Sequence, residues 1–190
     1  MIFSKYFYIS IIAVIAVLLT GCLTAEHKEF RVSLNPDGKS GTATLLFSGI
    51  HSEQGNDTSD VTKDDFNSLI SEYYQGKKIE NSYNGARQFK KRLFLDKDIL
   101  MGEVTFSFDD ISELGFYRYK NTGPYMYYTL ADGLFSSGQF EASNGTYAGE
   151  KMPFVFWDEG SRDFYVKVSL SSAQAPEKTL VPQYKAWAKK

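Results

Sequence analysis

The residue types that most often carry chemistry are scarce in this chain of 190 residues, which contains one cysteine and two histidines. Cys22 stands alone, so intramolecular disulfides, cysteine-based zinc sites and a cysteine nucleophile inside the folded part are excluded. Neither His27 nor His51 has a serine, an aspartate or a second histidine at a meaningful spacing. A Gly-x-Ser-x-Gly elbow is also missing from the sequence. These patterns disfavour a histidine, serine or zinc hydrolase.

Carboxylates are the remaining candidates for chemistry. Four of them lie close together near a predicted helix start: Asp57, Asp60, Asp64 and Asp65. Their spacing does not match a calcium-binding EF-hand loop, and acidic residues at a helix start already interact favourably with the helix macrodipole. Carboxylate pairs for glycoside hydrolysis could be drawn from Glu103, Asp109, Asp110, Glu113, Glu141, Asp158 and Glu159. Because any chain with 23 acidic residues offers such pairs, we predict no metal, no cofactor and no catalytic residue.

The first 22 residues have the layout of an export signal. Lys5 precedes an apolar run from Phe7 to Leu19, which is shorter than the roughly 20 apolar residues of a transmembrane helix. The run ends in Leu19-Thr20-Gly21-Cys22, and the chain then turns polar. This tetrapeptide resembles the lipobox of bacterial lipoproteins, in which small residues precede the cleaved bond and the thiol accepts diacylglycerol.

The lipobox resemblance implies that residues 1–21 are a signal peptide, that cleavage falls between Gly21 and Cys22, and that Cys22 carries the lipid. An uncleaved anchor with an incidental cysteine is the alternative. Leu23, instead of aspartate, favours the outer membrane if the host is Gram-negative. We expect residues 22–28 to form a tether and residues 29–190 to form one domain, a typical domain size.

The net charge of −2 at pH 7 is small and evenly spread, so it indicates neither nucleic-acid binding nor a polybasic membrane patch. The expected partners are the membrane, through the lipid on Cys22, and an envelope protein, a glycan or a lipid ligand.

A tyrosine-rich hairpin over residues 116–131 is the strongest indication of a binding surface. Alternation places Tyr117 and Tyr119 on one face of the first strand, and Tyr125 and Tyr127 on one face of the second. We predict these four tyrosines as a possible ligand surface that stacks sugars, holds a peptide or contacts a partner. Ordinary cross-strand aromatic packing is the alternative.

Hydrophobic periodicity predicts an α+β fold. Phe66, Leu69, Ile70 and Tyr73 follow the spacing of an amphipathic helix over about 62–75, and Pro182 opens a short C-terminal helix. The other segments alternate as strands, predicted over 29–34, 42–50, 88–95, 100–108, 116–120, 125–131, 134–141, 153–157 and 163–170. Turn residues suggest hairpins within 29–50, 116–131 and 153–170. We predict a strongly bent or two-layered antiparallel sheet packed against one main helix.

The opening hairpin has an Asp37-Gly38-Lys39-Ser40-Gly41 turn and is followed by a helix and a meander. Over residues 29–170 this order resembles the LppM-like lipoprotein domain. The resemblance implies an envelope domain that handles or contacts lipidic material, with no catalytic residues.

Three hypotheses for function follow from these patterns. The first is a non-enzymatic envelope lipoprotein that binds or scaffolds something through an exposed aromatic patch. The second is a lipid or apolar-ligand carrier with a cavity lined by the stripe of Phe66 and Tyr73. The third is an envelope hydrolase with two acidic side chains facing each other across a cleft.

Overall fold

The fold is described from a computed structural model for residues 22–53, 60–129, 138–170 and 177–189. The predicted signal peptide 1–21, with Gly21, lies outside these ranges, as do Asp57 and the first part of the strand predicted over 134–141. Among the described residues, no helix is both long enough and apolar enough to cross a bilayer.

A seven-stranded antiparallel sheet forms one layer of the molecule. Numbered along the chain, its strands are β1 (Cys22–Leu34), β2 (Gly41–Glu53), β3 (Arg87–Asp96), β4 (Ile99–Phe108), β7 (Gln139–Ser143), β10 (Asp163–Ser169) and β11 (Glu177–Thr179). The order is β3-β4-β2-β1-β10-β7, and β11 pairs with the end of β2. The predicted alternation of β4 is confirmed, because Leu100, Gly102, Val104, Phe106 and Phe108 are all buried on one face.

A four-stranded antiparallel sheet forms part of the second layer. It consists of β5 (Phe116–Arg118), β6 (Tyr125–Tyr128), β8 (Thr146–Tyr147) and β9 (Phe154–Trp157), in the order β5-β6-β9-β8. The predicted hairpin of β5 and β6 is confirmed, whereas the predicted hairpin of 153–157 with 163–170 is wrong. The turn at 158–162 instead carries the chain from the small sheet to the large one, where β10 pairs with β1 and β7.

The prediction of a tether over residues 22–28 is also wrong. These residues are the first half of β1, and their ladder with β2 begins at the pair Cys22 and Glu53. Lys28 lies on the inner face of the sheet at 4% exposure, in line with Phe30 and Val32. A lysine at an inward position breaks the apolar alternation by which a strand is recognised in sequence.

The main helix is confirmed. An α-helix, α1 (Thr62–Ser68), continues without interruption as a π-helical segment over Leu69–Tyr74. Phe66 and Leu69 are buried, as the stripe predicts. At the start of α1, Asp65 accepts a hydrogen bond from Ser52 and Thr62 donates to Asp60. The C-terminal helix α2 (Val181–Trp187) packs on α1, with the ring centroids of Trp187 and Phe66 6.4 Å apart.

The core lies between the two layers, as expected for an α+β fold with a two-layered sheet. The small sheet covers the end of the large sheet near the β1–β2 turn, where Phe116 contacts Phe30 and Phe164 at ring centroid distances of 6.2 and 5.1 Å. The helical segment covers the opposite end, near Cys22. Aromatic rings therefore couple the two sheets over much of their contact.

Candidate binding face

The structure divides the four tyrosines that the sequence grouped together. Tyr117 and Tyr119 are 55% and 57% exposed, whereas Tyr125 and Tyr127 are 1% and 6% exposed. The prediction that all four share a ligand surface is wrong for Tyr125 and Tyr127. Both point between the sheets, and burial raises the pKa of the Tyr127 phenol. Cross-strand aromatic packing is the role of these two rings, as in the alternative considered for the hairpin.

The register of the small sheet shows which side chains share the outer face with Tyr117. Tyr117 pairs with Met126, which pairs with Phe156, and Phe156 pairs with Thr146. One row further along, Tyr128 pairs with Phe154, and their ring centroids are 5.0 Å apart. We define the aromatic outer face by the residues Tyr117, Met126, Tyr128, Thr146, Phe154 and Phe156. None of these side chains is charged.

Tyr119 and Met152 lie at two edges of this face. Tyr119 follows β5 in a short 3-10 turn, and the Nζ atom of Lys120 lies 5.3 Å from its ring centroid. Met152 is 50% exposed and lies two residues before Phe154, the first residue of β9.

Arg118 holds the turn that carries Tyr119. Its Nε donates to the carbonyl oxygen of Gly123 at 3.1 Å, and its Nη1 donates to the Tyr125 hydroxyl at 3.0 Å. The guanidinium also stacks on the Tyr125 ring at 4.3 Å from the centroid, a favourable cation–π contact. The guanidinium of Arg118 therefore acts as a structural brace for this turn.

Sequence reasoning missed Met126, Tyr128, Phe154 and Phe156 as partners of Tyr117. The alternation of Phe154 and Phe156 with Val155 and Trp157 is visible in the sequence, but its significance depends on β9 pairing with β6. The sequence predicted that residues 153–157 pair with residues 163–170 and not with β6. The aromatic outer face could therefore not be predicted.

Three of the carboxylates named as candidates, Glu103, Asp110 and Glu141, have separate structural partners. Glu103 receives a bidentate hydrogen bond from Arg92 at 2.8 and 2.9 Å, and Glu141 contacts His27 and Lys167 at 2.9 Å each. The side-chain hydroxyl of Ser112 and then its backbone N–H hydrogen-bond to Asp110, and both lower the pKa of the Asp110 carboxyl. In the part of the chain that the structure describes, no three His, Cys, Asp or Glu side chains converge as a metal site would require.

An apolar cavity of about 50 Å³ lies between the helical segment and the large sheet. Leu69 and Tyr73 line it from the helical side, while Phe66, which was expected there, packs against Trp187. Ligand pockets usually enclose roughly 300–1,000 Å³. The cavity is therefore far too small for an acyl chain in this conformation.

A second, open and polar cleft of about 310 Å³ adjoins the end of the helical segment, between Tyr74, Glu80, Phe89 and Lys91. The Nζ atom of Lys91 donates to the carbonyl oxygens of Tyr73 and Gly76 at 2.7 Å and to Glu80 at 2.6 Å. An ammonium group has three donors, and here all three are used. Lys91 therefore satisfies the last carbonyls of the helical segment.

The aromatic outer face can bind a ligand non-covalently, by stacking against its exposed rings.

Comparisons of the chain with protein-family models, with curated proteins and with solved structures find no match.

Proposed function

We propose that this chain is a lipid-anchored protein of the bacterial cell envelope, located at the outer membrane in a Gram-negative host, whose folded domain binds a sugar chain without catalysing a reaction. The lipobox Leu19–Cys22 supports the anchor. The aromatic outer face of the small sheet carries the binding proposal, because exposed apolar surface of this kind is typical of interaction sites.

The size of the face favours a small or linear ligand over a folded protein. Strands lie about 4.8 Å apart and rise about 3.3 Å per residue, so the face spans roughly 200 Å². A stable protein–protein interface buries roughly 800 Å² on each partner. A few sugar rings stacked along Tyr117, Tyr128 and the adjacent phenylalanines match the smaller area.

The charge of the face also suits a sugar chain. Its six side chains are uncharged, and aromatic rings present flat apolar surfaces against which the C–H faces of a sugar can pack. A sugar chain therefore matches both the flat shape and the neutral charge of this face.

The alternative of a lipid carrier, which the LppM-like resemblance favours, needs an interior several times larger than the 50 Å³ cavity. A hydrolase needs two facing carboxylates, and Glu103, Asp110 and Glu141 are each engaged with a different partner. The lipid carrier and the hydrolase are therefore both less favoured than a protein that binds a sugar chain at the aromatic outer face.

Anchoring is tested by growing cells with radiolabelled palmitate. We expect label on the wild-type protein and none on Cys22→Ala, because the thiol is the acceptor. An unlabelled wild-type protein would exclude the anchor.

Sugar binding is tested by co-sedimentation with purified peptidoglycan sacculi. Tyr117→Ala and Tyr128→Ala should each weaken retention about threefold to tenfold, since a stacked aromatic contributes about 0.5–1.5 kcal/mol. Tyr165→Ala, on the outer face of the large sheet, is the matched control and should bind like wild type. A wild-type protein that is not retained on the sacculi, or an equal loss of retention in all three variants, would contradict the proposal.

A further inference from the structure

We infer that Asn84 is a site of spontaneous deamidation, and that the other Asn-Gly pair of the chain, Asn144-Gly145, is protected from the same reaction by its hydrogen bonds. Only these two asparagines in the sequence are followed by glycine. The modification needs no enzyme, consumes only water, and adds a carboxylate to one turn of the domain. It depends neither on the lipid anchor nor on sugar binding.

The reaction joins two neighbouring groups of the chain. The backbone nitrogen of Gly85 gives up its proton and attacks the side-chain carbonyl carbon, Cγ, of Asn84. A carbon–nitrogen bond forms, the bond between Cγ and Nδ2 breaks, and Nδ2 leaves as ammonia with the proton from the backbone. Water then opens the resulting cyclic imide at one of its two carbonyl groups. The product at position 84 is aspartate, or isoaspartate, in which the main chain runs through the side chain.

The turn at Asn84 leaves both reacting groups free. The N–H of Ala86 donates to the carbonyl oxygen of Tyr83 at 3.1 Å, so Asn84 and Gly85 are the central residues of a four-residue turn. Gly85 has a φ of 87°, as a type II turn requires at this position. Both central residues are exposed, and neither the Asn84 side chain nor the Gly85 N–H has a hydrogen bond to another described residue. The two groups can therefore approach each other without breaking a hydrogen bond of their own.

The turn at Asn144 holds the corresponding side chain in place. Asn144 is exposed as well, so access to water does not distinguish the two sites. Its Nδ2 donates to the carbonyl oxygen of Asp163 at 3.0 Å. Its Oδ1 accepts from Nε1 of Trp157 at 2.7 Å and from the backbone N–H of Tyr165 at 2.9 Å. The side-chain amide of Asn144 is therefore fixed to both sheets.

The attacking nitrogen is also held at this second site. The N–H of Gly145 donates to Oγ of Ser143 at 2.9 Å. Reaction at Asn144 would therefore lose hydrogen bonds of both reacting groups before the new bond forms. Because the loss of two ordinary hydrogen bonds slows a reaction by about tenfold, Asn144 should react at least about tenfold more slowly than Asn84.

Deamidation would alter a turn that contacts the core. Tyr83, directly before Asn84, is 6% exposed, and its ring centroid lies 5.0 Å from that of Phe106. Gly85 lies against the carboxylate of Glu113, since a Cβ on this glycine would be 2.5 Å from Oε2 of Glu113. The product carries a new negative charge one residue from this carboxylate, and isoaspartate also lengthens the main chain next to Tyr83. Both changes should lower the melting temperature, because like charges repel and the turn no longer fits the core.

The test is incubation of the purified full chain in mildly alkaline buffer, followed by peptide mapping with mass spectrometry. We expect aspartate and isoaspartate to accumulate at position 84 at least about tenfold faster than at position 144. In urea, which removes the hydrogen bonds of both turns, the two rates should become similar. Equal rates in the folded protein, or no product at position 84, overturn the inference.

Two variants separate the chemistry from the fold. Ser143→Ala removes the acceptor of the Gly145 N–H, so it should raise the rate at position 144 several-fold, while the rate at position 84 stays unchanged and serves as the internal reference. An unchanged rate at position 144 contradicts the protection by hydrogen bonds. Asn84→Gln has a side chain one methylene longer, which closes the ring slowly. After incubation the melting temperature should fall in wild type and not in Asn84→Gln, and an equal fall in both overturns the effect assigned to position 84.

Discussion

The outer faces of the two sheets are built from the same alternating pattern but differ in chemistry. On the large sheet the outward side chains pair with one another, as Arg92 does with Glu103 and Thr44 with Thr105. On the small sheet the outward side chains are aromatic or apolar, and Tyr117 remains more than half exposed. The inner faces of both sheets are mainly apolar, with Lys28 as a charged exception on the large sheet. Among the described residues, the outer face of the large sheet is therefore polar and internally paired, whereas that of the small sheet is aromatic and uncharged.

This difference in side-chain chemistry indicates that solubility does not determine the composition of the outer face of the small sheet. A charged outer face keeps a sheet soluble, and the large sheet follows this rule with ion pairs across neighbouring strands. The small sheet departs from the rule in one contiguous group of residues, the aromatic outer face. Local departures from the polar-out pattern are expected at functional sites.

The largest expected effect on stability comes from a substitution in the contact between the two sheets. Phe116 is 4% exposed and contacts Phe30, Tyr127 and Phe164. Phe116→Ala should lower the free energy of unfolding by about 3–5 kcal/mol, because a large buried ring leaves a cavity. Urea denaturation measures this loss. Tyr117→Ala is the adjacent outward control and should cost less than about 1 kcal/mol. Similar losses in both variants would mean that the small sheet has no distinct inner and outer face.

The second effect concerns the inner face of the large sheet, where burial lowers the pKa of Lys28 from 10.5 to about 7. Between these values the unfolded chain binds a proton that the folded chain lacks. The free energy of unfolding should therefore rise with pH across this window, by up to about 1.4 kcal/mol per unit.

The measurement is urea denaturation of wild type and Lys28→Met at several pH values between neutral and alkaline. Other titrating groups cancel in the difference between the two proteins. We expect wild type to gain stability relative to Lys28→Met as the pH rises, with the gain lost again on return to neutral pH. Parallel pH profiles would show that Lys28 does not release its proton on folding.

Local patterns predicted much of this fold. The stripe of Phe66 and Leu69 predicted the helical segment, and the alternation of β4 identified its buried face. Both depend on residues close in sequence, where periodicity is informative. The short C-terminal helix, which begins with Val181 and Pro182, was predicted for the same reason.

Strand pairing could not be predicted in the same way. The turn at 158–162 has the composition of a hairpin, yet β9 and β10 belong to different sheets because their buried residues contact different partners. The first half of β1 was not predicted as a strand, because a lysine such as Lys28 is expected to be exposed and so interrupts the apolar alternation. The candidate site depended on both kinds of information, so the sequence identified Tyr117 and Tyr119 but not the face around them.

The third effect concerns the brace beneath the aromatic outer face. Arg118→Met should lower the free energy of unfolding by about 1–2 kcal/mol, because it removes hydrogen bonds from a charged donor to the Tyr125 hydroxyl and to Gly123. Thermal melting and urea denaturation measure the loss. Tyr125→Phe keeps the ring but removes this hydroxyl acceptor and the long hydrogen bond, 3.4 Å, from the Tyr125 hydroxyl to the carbonyl oxygen of Gly38. It should cost less than Arg118→Met, about 1 kcal/mol. A larger loss in Tyr125→Phe than in Arg118→Met would contradict the role of Arg118 as the brace.

The smallest effect is expected on the polar outer face of the large sheet. Glu141 contacts His27 and Lys167 at 2.9 Å, and all three side chains are about one-quarter to one-third exposed. Glu141→Gln should cost less than about 1 kcal/mol, because exposed ion pairs gain little over their interactions with water. Urea denaturation should show this cost shrinking further at about 1 M salt, where the Debye length falls to roughly 3 Å. A loss as large as that of Phe116→Ala would show that the outer face of the large sheet holds β7 and β10 in place. The contrast between the two outer faces would then be one of stability as well as of binding.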